Sequence, residues 1–200
     1  METSTFHKIN LGLLGASQIA NKIVPSIKRV RAIQIAGVAA RNEKRAKAFQ
    51  KKHQLTKTYA DYAACLADPA VNAVYISVLS CDHARLIEKS LRAGKHVLCE
   101  KPLVLTPRDA KQLFKLAKSR RLVLLEGLMY RFHPQIQKMK QALAKGRLGR
   151  VKSIKVGFSF LMYGPGDKRA RATASAGGGA LFDLGCYAVD FVNLFAGSSK

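Results

Sequence analysis

The sequence predicts an α/β fold: a Rossmann-type, doubly wound parallel sheet, followed by the start of an α+β domain with an antiparallel sheet. Three observations carry that expectation. Short runs rich in Val, Ile and Leu alternate with longer helical patterns, a glycine-bearing turn follows the first run directly, and helix-boundary residues recur where the pattern changes. The runs are residues 9–14, 33–39, 73–78 and 96–99, each leading into a helix, and 123–126 supplies a further short strand. Near-continuous apolar runs of this kind suit strands covered on both faces. Thr106, Pro107 and Asp109 read as an N-cap, a first-turn proline and an acidic third position, and Gly94 and Gly146 sit where helices should stop. Pro25 falls inside the first helix and should kink or shorten it.

After a helix over 133–145 the pattern changes. Ile154, Val156, Phe158 and Phe160 alternate with Lys155, Gly157 and Ser159, the period of a half-buried antiparallel strand. A basic loop over 163–175 and an apolar helix over about 179–195 complete the chain. The division expected is 1–127 for a nucleotide-binding domain and 128–200 for the first part of an α+β substrate and dimerisation domain. One strand and one helix cannot close a core, since about three strands with a covered face are needed.

Lys and Arg number 35 against 12 acids, a formal charge of +23. Such an excess attracts polyanions, so a basic nucleic-acid-binding module is one reading. The charges are nonetheless spread over helix faces, as in Lys111, Lys115 and Lys118 or Lys138, Lys140 and Lys145, which is the look of solvated helices. Cys65, Cys81, Cys99 and Cys186 form no C-x-x-C pair, so no metal site is expected and reduced thiols fit a cytoplasmic location. The N-terminus lacks a long apolar core, and no run approaches the roughly 18 apolar residues that cross a bilayer.

In INLGLLGASQIA, Gly12, Gly15, Ser17 and Ala20 follow the first strand and open the first helix, with Ala16, Gln18 and Ile19 between them. There backbone N–H groups and the positive helix end can meet a pyrophosphate. Ser17 stands where the second glycine of G-x-G-x-x-A belongs, so a merely structural turn is the competing reading. The second strand ends in Ala39, Ala40 and Arg41, with Arg45 one turn further on. NAD enzymes usually place a carboxylate there for the ribose hydroxyls. A guanidinium without a carboxylate favours the 2′-phosphate of NADP over NAD, against the alternative of one more surface arginine.

The segments AARNEKRAKAF, GKHVLCEKPL, GLMYRFHPQ and GGGALFDLGCYAVDF, in this order, resemble the successive signatures of the Gfo/Idh/MocA oxidoreductases. The resemblance runs along nearly all of the chain. It is strongest to the branch with dihydrodiol dehydrogenase, D-xylose dehydrogenase and glucose-fructose oxidoreductase, which favours NADP and has tyrosine on the catalytic helix. It implies that Lys101, in Glu100-Lys101-Pro102, reaches the reacting oxygen of the substrate, often after a cis Lys-Pro bond. A fixed ammonium there stabilises a developing alkoxide.

The same resemblance implies that Tyr187 is the general acid/base and that Asp183, on the same helical face, binds substrate or orients the site. It leaves Asp190 unassigned, since a helix cap and a core tyrosine also explain that face. His83 and Arg131 would border the substrate cleft, and Leu79 and Glu100 would line the cofactor. Leu79 and Ser80 replace the Pro-Asn common in the family, which alters the nicotinamide loop. The expected reaction is hydride transfer between NADP and a sugar or diol carbon. Family members are longer and dimeric, so the chain reads as C-terminally truncated. A non-catalytic dinucleotide-binding module is the rival to the enzyme.

Overall fold

Six strands run parallel through the first part of the computed structural model: β1 (Ile9–Leu14), β2 (Ile33–Ala39), β3 (Thr58–Tyr59), β4 (Ala73–Ile76), β5 (His96–Cys99) and β6 (Leu124–Glu126). Their order is β3-β2-β1-β4-β5-β6, so the winding reverses between β1 and β4. That is the Rossmann order, and it opens a crevice beyond the carboxyl ends of those two strands. The structure describes residues 8–147, 149–159, 173 and 176–196. Two compact units divide the chain, Met1–Glu126 and Gly127–Lys200.

The crossovers in the first unit are α1 (Gln18–Ile27), α2 (Glu43–His53), α3 (Tyr62–Ala67), α4 (His83–Arg92) and α5 (Pro107–Ser119). Because successive strand residues point to opposite faces, the sheet builds two cores. Leu13 and Tyr75 join Ala20, Val24 and Phe49 on one face. Leu14, Val74 and Ile76 join Leu86, Ile87, Leu91, Leu113 and Ala117 on the other. Each large apolar side chain so buried stabilises the fold by about 1.5–3 kcal/mol. Gly12 belongs to this packing: a Cβ there would lie 2.6 Å from the Cys65 sulfur of α3. Burial in the same place pushes the Cys65 thiol up to about 12.

Local chemistry fixes the helix starts. Thr106 caps α5 by accepting from the Asp109 N–H at 3.1 Å while its hydroxyl donates to the Asp109 carboxylate at 2.7 Å. Gly94 and Gly146 follow α4 and the later helix α6 (Pro134–Ala144) as expected. Pro25 neither breaks nor interrupts α1, because it lies in the last turn and the helix closes two residues later. The two-residue β3 escaped the sequence pattern, since an edge strand this short has no periodicity to read.

Below β3, the Asp68 carboxylate accepts from Lys57 at 2.6 Å, from the Tyr59 hydroxyl at 2.8 Å and from the Ala70 N–H at 2.8 Å. Those donors, Lys57 first, hold its carboxyl down at about 2, against 3.8 unperturbed. A depressed pKa stabilises the fold fully above the unfolded value and not at all below the folded one. The stability difference between the parent chain and Asp68→Asn, measured by urea unfolding, should therefore be largest above about pH 4 and shrink as pH falls toward 2. A difference independent of pH would refute this account of Asp68.

The second unit contains a 3₁₀ turn (Met129–Phe132), α6, a π-turn (Leu181–Gly185) and α7 (Cys186–Ala196). His133 caps α6 by accepting from the Gln135 N–H at 3.2 Å. The antiparallel strand expected from residue 154 onward is not formed over 151–159. A strand satisfies its backbone only through a neighbour, and among the described residues none pairs with this segment. Val156 and Phe158 accordingly stay open, Phe158 being 53% exposed, while Ile154 is half-buried. Phe160 and nearly all of the loop expected over 163–175 lie outside the described residues.

Candidate active site

In the first unit, the residues singled out for cofactor binding follow the carboxyl ends of four parallel strands. Gly15 to Ile19 come after β1, Ala40 to Arg45 after β2, Leu79 after β4, and Glu100 with Lys101 after β5. Gly12 is the exception, since it lies within β1 against α3 and walls the core rather than the turn.

Gly15 turns the chain with φ +122°, and a Cβ there would stand 2.9 Å from the Ser77 carbonyl oxygen. Only glycine combines that backbone with so close an approach. Its N–H donates to the Ala39 carbonyl at 2.9 Å, which joins the ends of β1 and β2. Ser17 N-caps α1, accepting from the Ala20 N–H at 3.0 Å and donating to the Ser77 hydroxyl at 2.9 Å. Ser77 in turn donates to the Gly15 carbonyl at 3.2 Å. The hydroxyl that replaces the second glycine is thus folded into the turn's own bonding. A turn that requires glycine at residue 15 and is closed by a helix start is the shape a pyrophosphate fits. Ser77, 3% exposed, was missed in the sequence, where a polar residue ending an apolar strand was the available signal.

Beyond β2 the site turns basic. Asn42 caps α2 by accepting from the Arg45 N–H at 3.0 Å, and the Arg45 guanidinium donates to the Ala16 carbonyl at 3.1 Å. Arg41 is largely exposed and stands 3.7 Å from the Asp82 carboxylate. Asp82 belongs to the 3₁₀ turn Ser80–Asp82 after Leu79 and also takes a 3.2 Å bond from Arg85.

The Glu100–Leu103 turn is held at three places. The Tyr75 hydroxyl donates to Glu100 at 2.6 Å, His83 Nδ1 lies 2.9 Å from the Pro102 carbonyl, and the Leu103 N–H donates to Glu126 at 2.8 Å. The Lys101–Pro102 bond is cis. Burial, then the charge of Glu100, pushes the Tyr75 hydroxyl well above its ordinary range, so it stays a donor. His83, expected at the substrate cleft, is 1% exposed, and its other nitrogen lies 3.2 Å from the Val78 carbonyl. Both ring nitrogens lie beside backbone carbonyls, to one of which a neutral imidazole can donate, so His83 is buried against the lysine turn.

In the second unit, Asp190 gathers the polar groups. It accepts from the Tyr130 hydroxyl and from two nitrogens of Arg131, one of them at 2.8 Å. Arg131, expected at the substrate, is therefore committed to a carboxylate, in the forked geometry that arginine favours. Burial and then Asp190 push the Tyr130 hydroxyl up. Its ring packs edge-on to Tyr187 at 6.0 Å, and Phe158 meets Tyr187 edge-on at 5.6 Å. The aromatic pairs fix the Tyr187 ring from two sides. Asp183 falls in the π-turn that precedes α7, the kind of irregularity common at functional sites.

The profile of the "Oxidoreductase family, NAD-binding Rossmann fold" matches residues 9–128, and that of the GFO/IDH/MocA C-terminal domain matches 136–199. The chain belongs to the Gfo/Idh/MocA oxidoreductase family. Among relatives of this Gfo/Idh/MocA chain, trans-1,2-dihydrobenzene-1,2-diol dehydrogenase of Xenopus tropicalis is 32% identical over 92% of the chain and 55% of its own length. D-xylose 1-dehydrogenase (NADP(+)) 2 of Haloferax volcanii is 34% identical over 94% of the chain and 57% of its own length. The solved structure of a 3-ketoreductase from Actinomadura kijaniata with NADP and TDP-benzene superposes with TM-score 0.87 at 34% identity, covering 95% of the chain and 58% of that protein. The Gfo/Idh/MocA chain thus spans just over half the length of these relatives. Among the described residues, no helix is long and apolar enough to cross a membrane.

Proposed function

We propose that the chain carries the cofactor-binding and tyrosine-bearing part of an NADP-dependent oxidoreductase acting on a sugar or diol. The observation that carries this reading is the β1–α1 cradle with a guanidinium pair beside it: Gly15 at φ +122°, with Arg41 and Arg45 following β2. Two of the relatives named above are described with NADP, one in its name and one in its crystal. Crystals of that 3-ketoreductase with NADP also include variants at one tyrosine and at one lysine, the residue types assigned here to Tyr187 and Lys101.

The nicotinamide supplies or accepts a hydride when bound. The protein's own contributions are separable. The turn from Gly15 to Ile19 holds the pyrophosphate, and Arg41 with Arg45 neutralises the 2′-phosphate. Lys101, on its clamped turn, offers its ammonium to the substrate oxygen and stabilises the charge that develops there. Tyr187 gives that oxygen a proton in reduction and takes it back in oxidation. Asp183 binds or orients the substrate. A cytoplasmic location and a dimer of the whole protein belong to the same reading.

Fluorescence titration in moderate salt should show saturable NADPH binding, with NADH weaker by about tenfold, the weight of one good charge-assisted contact. Arg41→Ala should remove most of that difference. Absence of saturable binding, or a preference untouched by Arg41→Ala, would overturn the reading. The nucleic-acid alternative, motivated by the +23 charge, predicts instead an affinity for duplex DNA that falls steeply with salt and survives Lys101→Ala.

A further inference from the structure

The basic corner that would receive the 2′-phosphate also holds a carboxylate, and we infer that Asp82 is a specificity-determining residue that weakens the chain's preference for NADP over NAD. This rests on the dinucleotide reading above. Arg41 follows β2 and Asp82 follows β4, on either side of the turn that leaves β1, so their contact crosses the crevice where an adenosine would lie. Asp82 is set apart from the other acids of the first unit by its neighbours. It faces Arg41 at 3.7 Å and Arg85 at 3.2 Å, with its side chain 23% exposed.

Two effects of Asp82 on a phosphate held by Arg41 have the same sign. The carboxylate occupies part of the guanidinium's field, and as a like charge nearby it repels a group carrying about −1.5 to −2. The opposing effect is that Asp82 restrains Arg41 and so lowers the entropy cost of binding. At 3.7 Å, however, the pair lies beyond hydrogen-bond reach, and the Arg41 side chain remains 64% exposed, so the restraint is slight. The firmer bond of Asp82 is to Arg85, through the carboxylate oxygen that Arg41 does not face. Repulsion and competition therefore prevail. NADH, lacking the 2′-phosphate, feels neither.

Asp82→Asn keeps the side chain's shape and removes only its charge. Asp82 also gives α4 no capping bond to a backbone N–H, and the bond it takes from Arg85 can pass to the amide oxygen of the variant. Titrating NADPH and NADH into the parent chain and the variant should show NADPH bound about three- to fivefold more tightly by the variant, the scale of an exposed charge interaction. NADH affinity should change by less than about twofold, and the gain should shrink as salt rises toward 1 M. In the Arg41→Ala background the gain should largely vanish. Glu88→Gln, which removes the same charge from the exposed Glu88–Arg92 pair on α4, should leave the NADPH to NADH ratio unchanged.

Unchanged or weaker NADPH binding by Asp82→Asn, with Arg41 still required, would overturn the role of Asp82 and leave the dinucleotide reading standing. An equal gain from Glu88→Gln would reduce the effect to net charge and overturn it as well. Failure of the parent chain to bind either nucleotide would overturn both.

Discussion

Alanine at position 15 is expected to lower folding stability by about 3 kcal/mol, the sum of backbone strain and forced overpacking. The strain arises because alanine must adopt φ +122°, which L-residues rarely do. The overpacking arises because its Cβ would stand 2.9 Å from a backbone carbonyl of Ser77, which cannot swing aside as a side-chain tip could. The same methyl would push the turn off Ser77 and spoil the cradle for NADPH. Urea unfolding should show a lower midpoint for Gly15→Ala, and fluorescence titration should show NADPH binding lost. A variant as stable as the parent would mean that the turn relaxes freely and that its geometry is not demanding.

Tyr187→Phe and Lys101→Ala should each lower kcat for NADP-linked turnover of a sugar or diol by about 10²–10⁴-fold, the usual weight of a proton donor or of a charge aimed at the reacting oxygen. NADPH affinity should change little in Tyr187→Phe, because the residue is assigned to proton transfer and not to the nucleotide. Steady-state kinetics with a panel of aldoses and cyclic diols, beside the fluorescence titration, separates the two effects. Turnover that persists at the parent rate in both variants would remove these residues from the chemistry. Asp190→Asn is a useful companion, since it would loosen Tyr130 and Arg131 together.

The parallel sheet was legible in the sequence because its strands are covered on both faces. Burial on both sides leaves apolar runs with no polar alternation, and β1, β2 and β5 fall where those runs do. Capping residues sharpened the helix limits, as at Thr106. The segment over 151–159 was misread for a related reason. Its alternation describes which face a strand would bury, but pairing is a property of a neighbour, and the pattern carries no information about whether one is present.

The candidate site was legible to the extent that its residues follow strand ends. Partners were not. Neither the spacing of His83 nor that of Arg131 reveals that each is already engaged, His83 beside the Pro102 carbonyl and Arg131 with Asp190. The contacts that engage them span 19 and 59 residues of chain, beyond any local pattern. Tyr75 and Ser77 were hidden in the opposite way, as polar groups inside a strand that reads as core.

The hydroxyl chain from Ala20 N–H through Ser17 and Ser77 to the Gly15 carbonyl has a polarity: each oxygen accepts from one side and passes its own hydrogen on. Bonds in such a series polarise one another. Its last member occupies a lone pair of the Gly15 carbonyl, partly screening the dipole that an incoming phosphoryl group would otherwise encounter. Ser77→Ala would strip that screening while leaving the backbone N–H groups of the turn in place, so Ser17, at the fingerprint's second glycine position, and Ser77, outside the fingerprint, help decide how electropositive the loop is.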